Sequence, residues 1–378
     1  MAISKCRGKL VKEIITKSEV TIVLVAGVRE VGISTILNEC AEVLSKTSSV
    51  LTINSIQDIN FSNGTIVNPG DAVIIDDIEN ITGLNNILAK LVSLKARIIL
   101  GAHHRLSFFK RRRIIDVPTT EIEVRTFRLG EILEEESLDI TKPQKVLNAK
   151  CDNYVKRGGF PKTQNASTSL EICEYINDLI DRIIINDIMP YISSEESYEY
   201  VRQKVDFVIL CSGRIFDSND KSISKRDKEI NRAMIESFLI TRIGNYNKKE
   251  TSLILMIPTD ISMYSTITGL NESKESAWAI LIYCELLRFS YDVYFYFKNR
   301  YIKITAVCKK GTVTNYVQFG YNGKNENYRR NLDYSLISAS TKNANKLVIC
   351  VTNVMTYDKN IRCISFGDFI FYGLEPKP

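Results

Sequence analysis

The stretch that decides the fold runs from residue 21 to residue 37 and reads Thr21-Ile-Val-Leu-Val-Ala-Gly27-Val-Arg-Glu-Val-Gly32-Ile-Ser-Thr-Ile-Leu37. An apolar, β-branched run leads into a turn flanked by two glycines, and an apolar helical pattern follows the turn. This order of strand, loop and helix predicts a phosphate-binding loop with the spacing G-x-x-x-x-G-K-[ST]. The motif is complete except at one position, because Ile33 stands where the lysine belongs.

The loop keeps most of the groups that hold a phosphate. Gly27 and Gly32 allow a tight turn with inward N–H groups, and the following helix adds its positive N-terminal end. The predicted nucleotide-binding residues are Gly27, Arg29, Glu30, Val31, Gly32, Ile33, Ser34, Thr35 and His103. The missing lysine removes positive charge from the place where negative charge develops during phosphoryl transfer. We therefore expect ATP or ADP to bind weakly with Mg²⁺ and to be hydrolysed poorly; the alternative is a strand–turn–helix without a ligand.

The second half of the predicted site follows the run Ala72-Val-Ile-Ile-Asp76-Asp77. In a working P-loop enzyme, the first carboxylate after such a strand belongs to the Mg²⁺ shell and the second polarises the attacking water. We therefore predict Ser34 and Asp76 as metal-binding residues and Asp77 as a catalytic residue. A helix N-cap is the alternative explanation of the Asp-Asp pair. His103 follows another apolar strand and is a candidate γ-phosphate sensor, or an ordinary loop histidine.

Composition restricts the class of protein. A chain of 378 residues predicts two to four domains, and its 44% apolar and 25% charged residues are typical of soluble globular proteins. No apolar run is long enough to cross a membrane, and the N-terminus lacks a secretory leader. Nine cysteines without a C-x-x-C pair predict reduced thiols rather than a metal site. We therefore expect a cytoplasmic protein without a membrane partner.

Two basic segments are candidates for contact with nucleic acid. The net charge of +6 permits such contact without requiring it. The densest basic run is Lys110-Arg-Arg-Arg113, and a second group comprises Lys221, Lys225, Arg226, Lys228 and Arg232. Acidic residues dilute the second group. For both segments, a solvated helix face of mixed charge is the alternative to a phosphate contact.

Several stretches resemble a prokaryotic family of P-loop ATPases that is abundant in archaea and related to the AAA+ and STAND ATPases. The loop at residues 27–37 resembles the family's Gly-Pro-Arg-Gln-Val-Gly-Lys-Thr-Thr-Leu-Leu, and Arg157-Gly-Gly-Phe-Pro161 matches its Gly-Gly-Phe-Pro turn very closely. Residues 74–80, 99–104, 128–133 and 176–183 resemble further family motifs in the same order. The last of these motifs makes Arg182 a candidate catalytic arginine finger.

The resemblance implies an architecture. We expect an α/β P-loop NTPase with an AAA+-like parallel sheet over residues 1–135, a helical lid over 136–195, a winged-helix-like unit over 196–265, and a C-terminal α/β domain over 266–378 that is similar to restriction endonucleases of the PD-(D/E)XK type. In that last domain, Lys303 and Gln318 stand where the nuclease chemistry needs carboxylates, and only Glu285 remains. Nuclease activity is therefore not expected.

Three functions are consistent with these residues. The leading hypothesis is a degenerate AAA+/STAND-like ATPase that binds nucleotide, or is purely structural, in a larger homo- or hetero-oligomeric assembly. The first alternative is an active ATPase switch in which a neighbouring basic residue replaces the lysine. The second is a DNA-binding protein that uses the winged helix and the basic segments. The aromatic strands near residues 294–321 indicate an interaction domain if half of their rings face outward, or a self-covered core if they do not.

Overall fold

The chain folds into two compact units. The computed structural model describes residues 5–53, 67–136, 144–192, 196–247, 249–269, 274–299, 302–320, 326–339, 344–350 and 360–375. The first unit comprises Met1–Arg125, Leu179–Tyr198 and Glu229–Leu239, and the second comprises Thr126–Asp178, Glu199–Lys228 and Ile240–Pro378. The chain thus leaves the first unit and returns to it twice. This grouping does not test the four predicted domain limits, which stay predictions.

The first unit is built on a five-stranded parallel sheet. Its strands are β1 (Ile22–Ala26), β2 (Val50–Ile53), β3 (Ala72–Ile75), β4 (Arg97–Ala102) and β5 (Thr119–Glu123), in the order β2-β3-β4-β1-β5. Strands β1 and β3 are buried along their whole length, as expected for a parallel sheet covered on both faces. The predicted fold class, α/β with a parallel P-loop sheet, is confirmed. Strand β5 was not expected from the sequence.

Helices α1 (Lys5–Ser18), α2 (Ile33–Leu44), α3 (Leu84–Ser93) and α4 (Leu106–Arg111) complete this part of the first unit. Helix α2 buries Ile33, Ile36, Leu37, Cys40 and Leu44, which recur at helical spacing. Because the carboxyl ends of parallel strands meet at one edge, the loops after β1, β3 and β4 lie side by side there. This edge carries the predicted site.

The returning segments of the first unit contain an irregular helix end. Helix α7 (Ser169–Ile183) continues into a π-helical turn, Ile184–Ile188, and a short 3₁₀ turn, Met189–Tyr191. The π turn is wider than a turn of α-helix. π turns are rare in proteins, and those that occur are frequently found at functional sites. The other returning segment holds most of α9 (Lys225–Glu236).

The middle of the second unit combines helices with a small antiparallel sheet. Helices α5 (Leu129–Glu135), α6 (Gln144–Arg157), α8 (Tyr198–Leu210) and α10 (Ile261–Thr268) accompany strands β6 (Ile215–Asp217), β7 (Ile240–Gly244) and β8 (Leu253–Pro258), in the order β6-β8-β7. Strand β7 begins soon after α9 ends, where the β-branched residues Ile240 and Thr241 favour an extended backbone. The winged-helix assignment stays a prediction.

The end of the second unit is a mixed five-stranded sheet. Strands β9 (Asp292–Asn299), β10 (Ile302–Lys310), β11 (Val313–Gly320), β12 (Asn345–Cys350) and β13 (Arg362–Ser365) lie in sequence order, antiparallel from β9 to β11 and parallel from β11 to β13. Helices α11 (Lys274–Arg288), α12 (Glu326–Ala339) and α13 (Phe366–Tyr372) belong to the same unit. The likeness to a nuclease domain stays a prediction.

The aromatic rings of these strands are covered rather than exposed. Tyr316, Phe295 and Phe319 are buried, and Tyr294, Tyr296 and Phe297 are half-buried, whereas Tyr321 lies outside the described residues. The half-buried tyrosines pack on a core that includes Ile304, Val307 and Val348. The structure therefore favours a self-covered core over an outward aromatic surface on these strands.

A buried charged cluster fixes the Gly-Gly-Phe-Pro turn of the second unit. Arg288 binds Asp260 at 2.8 Å and Glu285 at 2.9 Å, and all three side chains are at most 2% exposed. The N–H group of Gly159 donates to Asp260 at 2.8 Å. Gly158 has φ of +65°, and a Cβ atom there would lie 1.7 Å from Asp260 Oδ1. The first glycine of the turn is thus required both by its backbone angle and by the carboxylate beside it.

No helix in the described ranges is both long and apolar enough to span a membrane. Eight of the described cysteines are free thiols, namely Cys40, Cys151, Cys173, Cys211, Cys284, Cys308, Cys350 and Cys363.

Replacing Gly158 by alanine is expected to destabilise the second unit far more than replacing Gly311. Both glycines have positive φ, +65° and +58°, but nothing lies within 4 Å of a Cβ atom at Gly311. Gly311→Ala should therefore cost only the left-handed backbone penalty of about 1–2 kcal/mol. Gly158→Ala should add roughly 1–3 kcal/mol or more from the collision. Urea unfolding of both variants measures the difference, and equal costs would contradict the steric explanation.

Candidate nucleotide site

The loop after β1 has the backbone that the glycine spacing predicts. The N–H group of Gly27 donates to the carbonyl of Ala102 at 3.1 Å. A Cβ atom at Gly27 would lie 2.4 Å from the carbonyl oxygen of Val124, so only glycine fits between the strands there. Gly32 has φ of +98° and directly precedes α2. Glu30 also has positive φ, +66°, which is uncommon for a residue with a side chain.

The first turn of α2 is open to an anion but lacks a cation. No side chain caps the helix at Gly32, so no capping side chain occupies its first N–H groups. Ile33, at the lysine position, is only 3% exposed and belongs to the core. Ser34 and Thr35 are exposed. The loop therefore offers amides and hydroxyl groups, and its lysine position is filled by a buried apolar side chain.

The two predicted Mg²⁺ residues lie in contact. The carboxylate of Asp76, at the end of β3, accepts a hydrogen bond from the side chain of Ser34. Its Oδ1 also accepts the N–H group of Asp77 at 2.9 Å. Burial raises the pKa of Asp76, and the bond from Ser34 opposes this shift. A Cβ atom at Gly101 would lie 2.3 Å from Asp76 Oδ1, so Gly101 leaves the room that the carboxylate occupies. This pairing of hydroxyl and carboxylate oxygens suits Mg²⁺.

The predicted catalytic carboxylate is paired with the predicted sensor. His103 Nε2 lies 3.2 Å from Asp77 Oδ1, and His103 Nδ1 lies 3.2 Å from the carbonyl oxygen of Gly27. The hydrogen bond from His103 lowers the pKa of Asp77 despite partial burial. Burial opposes a charged His103, but the bond to Asp77 and the charge of Glu79 outweigh it, so the pKa of His103 is raised. Asp77 has φ of +47°.

Glu79 and His104 extend this network away from the loop. Glu79 accepts the N–H group of His103, and its Oε1 lies 3.3 Å from His104 Nδ1. Burial would raise the pKa of Glu79, but the bond to His104 and the charges of both histidines lower it on balance. His104 Nε2 lies 3.0 Å from the carbonyl oxygen of Asp187 in the π turn. Neither Glu79 nor His104 was predicted as a site residue, although Glu79 stands in the same acidic run as Asp76.

Two ion pairs hold the loop to the segment that returns to the first unit. Arg29 binds Asp187 through two bonds of 2.8 Å and 2.6 Å, and the Asp187 side chain is 2% exposed. The hydrogen bond that Arg29 donates to Asp187 is the main reason that the pKa of Arg29 is raised. Arg182, the candidate finger, binds Glu30 at 2.6 Å within the same chain. Asp187 was not predicted; its only sequence signal is one charged residue inside the run Ile184-Ile-Asn-Asp-Ile188.

The structure thus brings most of the predicted residues to one edge of the sheet. Ser34 meets Asp76, His103 meets Asp77, and Arg182 meets the loop at Glu30. Val31 is buried, and Thr35 is exposed on the first turn of α2. Every charged side chain named here has an internal partner of opposite charge or a hydrogen bond. The arrangement can hold a phosphate through amides, and its charges are neutralised within the first unit.

Comparisons with known proteins reveal distant structural likenesses. No family model matches the chain, and no curated protein matches it. AMPPCP-bound DnaA from Aquifex aeolicus is similar with TM-score 0.31 and 16% identity, covering 61% of this chain and 82% of that one. The Holliday junction branch migration motor RuvB of Thermotoga maritima has TM-score 0.31 and 13% identity, covering 66% and 91%. Drosophila ORC bound to DNA has TM-score 0.27 and 13% identity, covering 71% and 96%.

The fold assignment depends on the chain's own features, because all three TM-scores are low. The parallel sheet order, the glycine loop after β1 and the acidic end of β3 together define an α/β domain of the P-loop type.

The pair of His103 and Asp77 is expected to make stability depend on pH in one direction. The folded pKa of His103 is raised above the unfolded value of about 6.5, so its contribution is complete below that pH and is lost as the pH rises through the folded pKa. The free energy of unfolding of wild type minus that of His103→Gln should therefore fall as the pH rises from about 6 upward. Urea unfolding over a pH series measures it.

Asp77→Asn is the matched variant, because it removes the other partner of the pair. The free energy of unfolding of wild type minus that of Asp77→Asn should also fall as the pH rises above about 6. A wild-type advantage that stays constant, or grows with pH, would contradict the assignment of a charged His103.

Proposed function

We propose that the chain is a degenerate AAA+/STAND-like P-loop protein that binds ATP or ADP with Mg²⁺ at the loop after β1 and hydrolyses ATP little or not at all. It serves as a nucleotide-dependent subunit of a larger cytoplasmic assembly. The observation that carries this proposal is the contrast between the uncapped N-terminus of α2 and the buried Ile33. Backbone amides remain for binding, and the lysine that a P-loop aims at the outer phosphates is replaced by a core side chain.

The residues beside the loop support the proposal that ATP is hydrolysed little or not at all. Asp77 stands where active P-loop enzymes place the group that polarises water, and its carboxylate is bound by His103. A nucleotide-bound Mg²⁺ ion would be held by Ser34 and Asp76 and would neutralise phosphate charge. Arg182 lies beside the loop of its own chain, where it is paired with Glu30. It is therefore placed to respond to nucleotide in cis, and finger action on another subunit would require this ion pair to open.

The second unit supports a role in assembly rather than in DNA cleavage. Glu285 is fully buried against Arg288. Gln318 donates to the carbonyl of Lys303 at 2.6 Å and accepts from Thr305 at 2.8 Å, so its amide joins β10 to β11. Tyr334 and Ile337 of α12 are 58% and 52% exposed and lie three residues apart on one helix face. We propose that this face contacts a protein partner and that the domain has no nuclease activity.

Restoring the loop lysine with Ile33→Lys is expected to raise nucleotide affinity. The new ammonium group would supply the charge that the loop lacks. The Ile33 side chain is only 3% exposed, however, so a lysine there must turn out of the core to avoid burying its charge. The affinity gain should therefore come with a lower free energy of unfolding, by roughly 1–3 kcal/mol. Titration with a fluorescent ATP analogue and urea unfolding measure the two effects, and Ile33→Met is the matched apolar control.

Steady-state ATP turnover tests whether the protein is a degenerate ATPase. Wild-type turnover at rates typical of AAA+ enzymes, abolished by Asp76→Ala, would refute the proposal of a degenerate ATPase. Absence of nucleotide binding in both wild type and Ile33→Lys would leave only the purely structural role.

An active ATPase switch is the second candidate, and Arg29 favours it. Arg29 is the basic residue of the loop itself, and the charges of Asp77 and Glu79 act on its guanidinium in addition to Asp187. If Arg29 replaces the lysine, Asp187→Asn should free it and raise ATP turnover, whereas Arg29→Ala should abolish turnover. Arg97→Ala, which removes an ion pair with Glu19 outside the site, is the matched control. Undetectable turnover in wild type and in Asp187→Asn rejects this candidate.

A further inference from the structure

A cavity of about 200 Å³ lies in the first unit beside the π turn. Its walls come from α4 with its following residues, from the segment around Asp187 and Tyr191, and from α9 near Arg232 and Glu236. Arg105 joins α4 to the end of α9, because its Nε donates to the carbonyl of Ile235 at 3.1 Å. The two basic segments of the sequence, 110–113 and the end of the second group, therefore meet at one cavity.

The carboxylates that line the cavity are already engaged. Asp187 is bound by Arg29 through two hydrogen bonds. Glu236 forms an ion pair with Arg111. Glu229 also has an interaction partner. Arg29 and Arg111 thus balance Asp187 and Glu236, which leaves Glu229 as the one remaining carboxylate among the described lining residues.

Two arginines of the wall, Arg112 and Arg232, have no carboxylate partner in the part of the chain that the structure describes. Arg112 lies over the rings of Phe108 and Tyr191, with its guanidinium carbon 5.1 Å and 5.0 Å from their centroids. It also donates to the carbonyl of Tyr191 at 3.3 Å. Arg232 is exposed, and no carboxylate in the described ranges pairs with it. Stacking on aromatic rings leaves the guanidinium edge of Arg112 available and fixes its plane. Once the ion pairs of Asp187 and Glu236 are counted, Arg112 and Arg232 face Glu229 alone, so the wall keeps a small excess of positive charge and the plane of Arg112 is preorganised.

The basic surface continues outside the cavity. Lys110 and Arg113 are exposed, and neither pairs with a carboxylate among the described residues. The carbonyl of Arg113 accepts from Asn85 at 2.8 Å, which fixes the backbone at the end of the run. A ligand that enters the cavity thus meets further positive charge along the neighbouring surface.

We propose that this cavity and its basic border bind the phosphodiester backbone of a nucleic-acid strand, with one phosphate between Arg112 and Arg232 and its neighbours along Lys110 and Arg113. The volume corresponds to about seven water molecules, enough for a hydrated phosphate but smaller than the roughly 300–1,000 Å³ of small-molecule sites. Only part of the ligand enters, so a chain of phosphates fits better than a free nucleotide. This inference is independent of nucleotide binding at the loop after β1.

The test measures the salt dependence of binding to a fluorescein-labelled oligothymidine by anisotropy, with the full-length protein and no ATP. Each phosphate contact adds about 0.7 to the slope of log affinity against log salt for a single strand. The double variant Arg112→Ala/Arg232→Ala should therefore bind more weakly and lose about 1.4 from this slope. Arg112→Lys/Arg232→Lys keeps both charges and should keep most of the slope.

The matched control is Lys46→Ala/Arg97→Ala, which removes two exposed or half-exposed charges away from the cavity and should bind as wild type does. Thermal unfolding confirms that each variant is folded. For a labelled duplex, each phosphate contact contributes about 0.9 to the slope of log affinity against log salt. Comparison of the two ligands shows whether the protein binds the backbone of a single strand or of a duplex. No binding by wild type at low salt, an unchanged slope in the double alanine variant, or full competition by thymidine monophosphate at equal phosphate concentration would each overturn the proposal.

Discussion

The ion pair between Arg29 and Asp187 is the interaction on which the candidate site depends. Asp187 is 2% exposed, and a buried carboxylate is tolerated only when it is paired and hydrogen-bonded. The bidentate geometry meets that condition, and removal of one partner from such a pair costs about 3–5 kcal/mol. Through its carbonyl, the same residue also meets His104 at the end of β4. One aspartate thus joins the loop after β1, the edge of β4 and the π turn.

Much of the first unit could be predicted from local patterns. The run Ala72–Ile75 is short and wholly apolar, and it forms a buried strand that ends at Asp76 as expected. The two loop glycines predicted the turn, and the structure gives a reason for each: Gly32 has a positive φ, and a Cβ atom at Gly27 would collide with the carbonyl oxygen of Val124. Strand β5 was missed because Thr119–Glu123 carries two glutamates and only one buried residue. A strand at the edge of the sheet does not show the apolar pattern of its centre.

The contacts of the site could not be predicted, because they join residues far apart in the chain. Arg29 and Asp187 are 158 positions apart, and Glu30 and Arg182 are 152 apart. No spacing rule relates such positions. The π turn is equally hidden, since Ile184–Ile188 has the composition of an ordinary helix end. The glycines of the Gly-Gly-Phe-Pro turn were recognised by resemblance, but only the structure reveals Asp260 as the reason that Gly158 tolerates no side chain.

The loop after β1 differs from a loop that has simply lost a charge. Arg29 is committed to Asp187, Glu30 to Arg182, and Asp77 to His103. A nucleotide that recruits one of these side chains must first break its internal pair, and the free energy of that step is subtracted from the free energy of binding. Two of the pairs end on residues 182–187. Binding strong enough to open them would therefore release that segment from the loop, and binding too weak to do so would leave it unchanged. Nucleotide binding that recruits these side chains would therefore also be a conformational change.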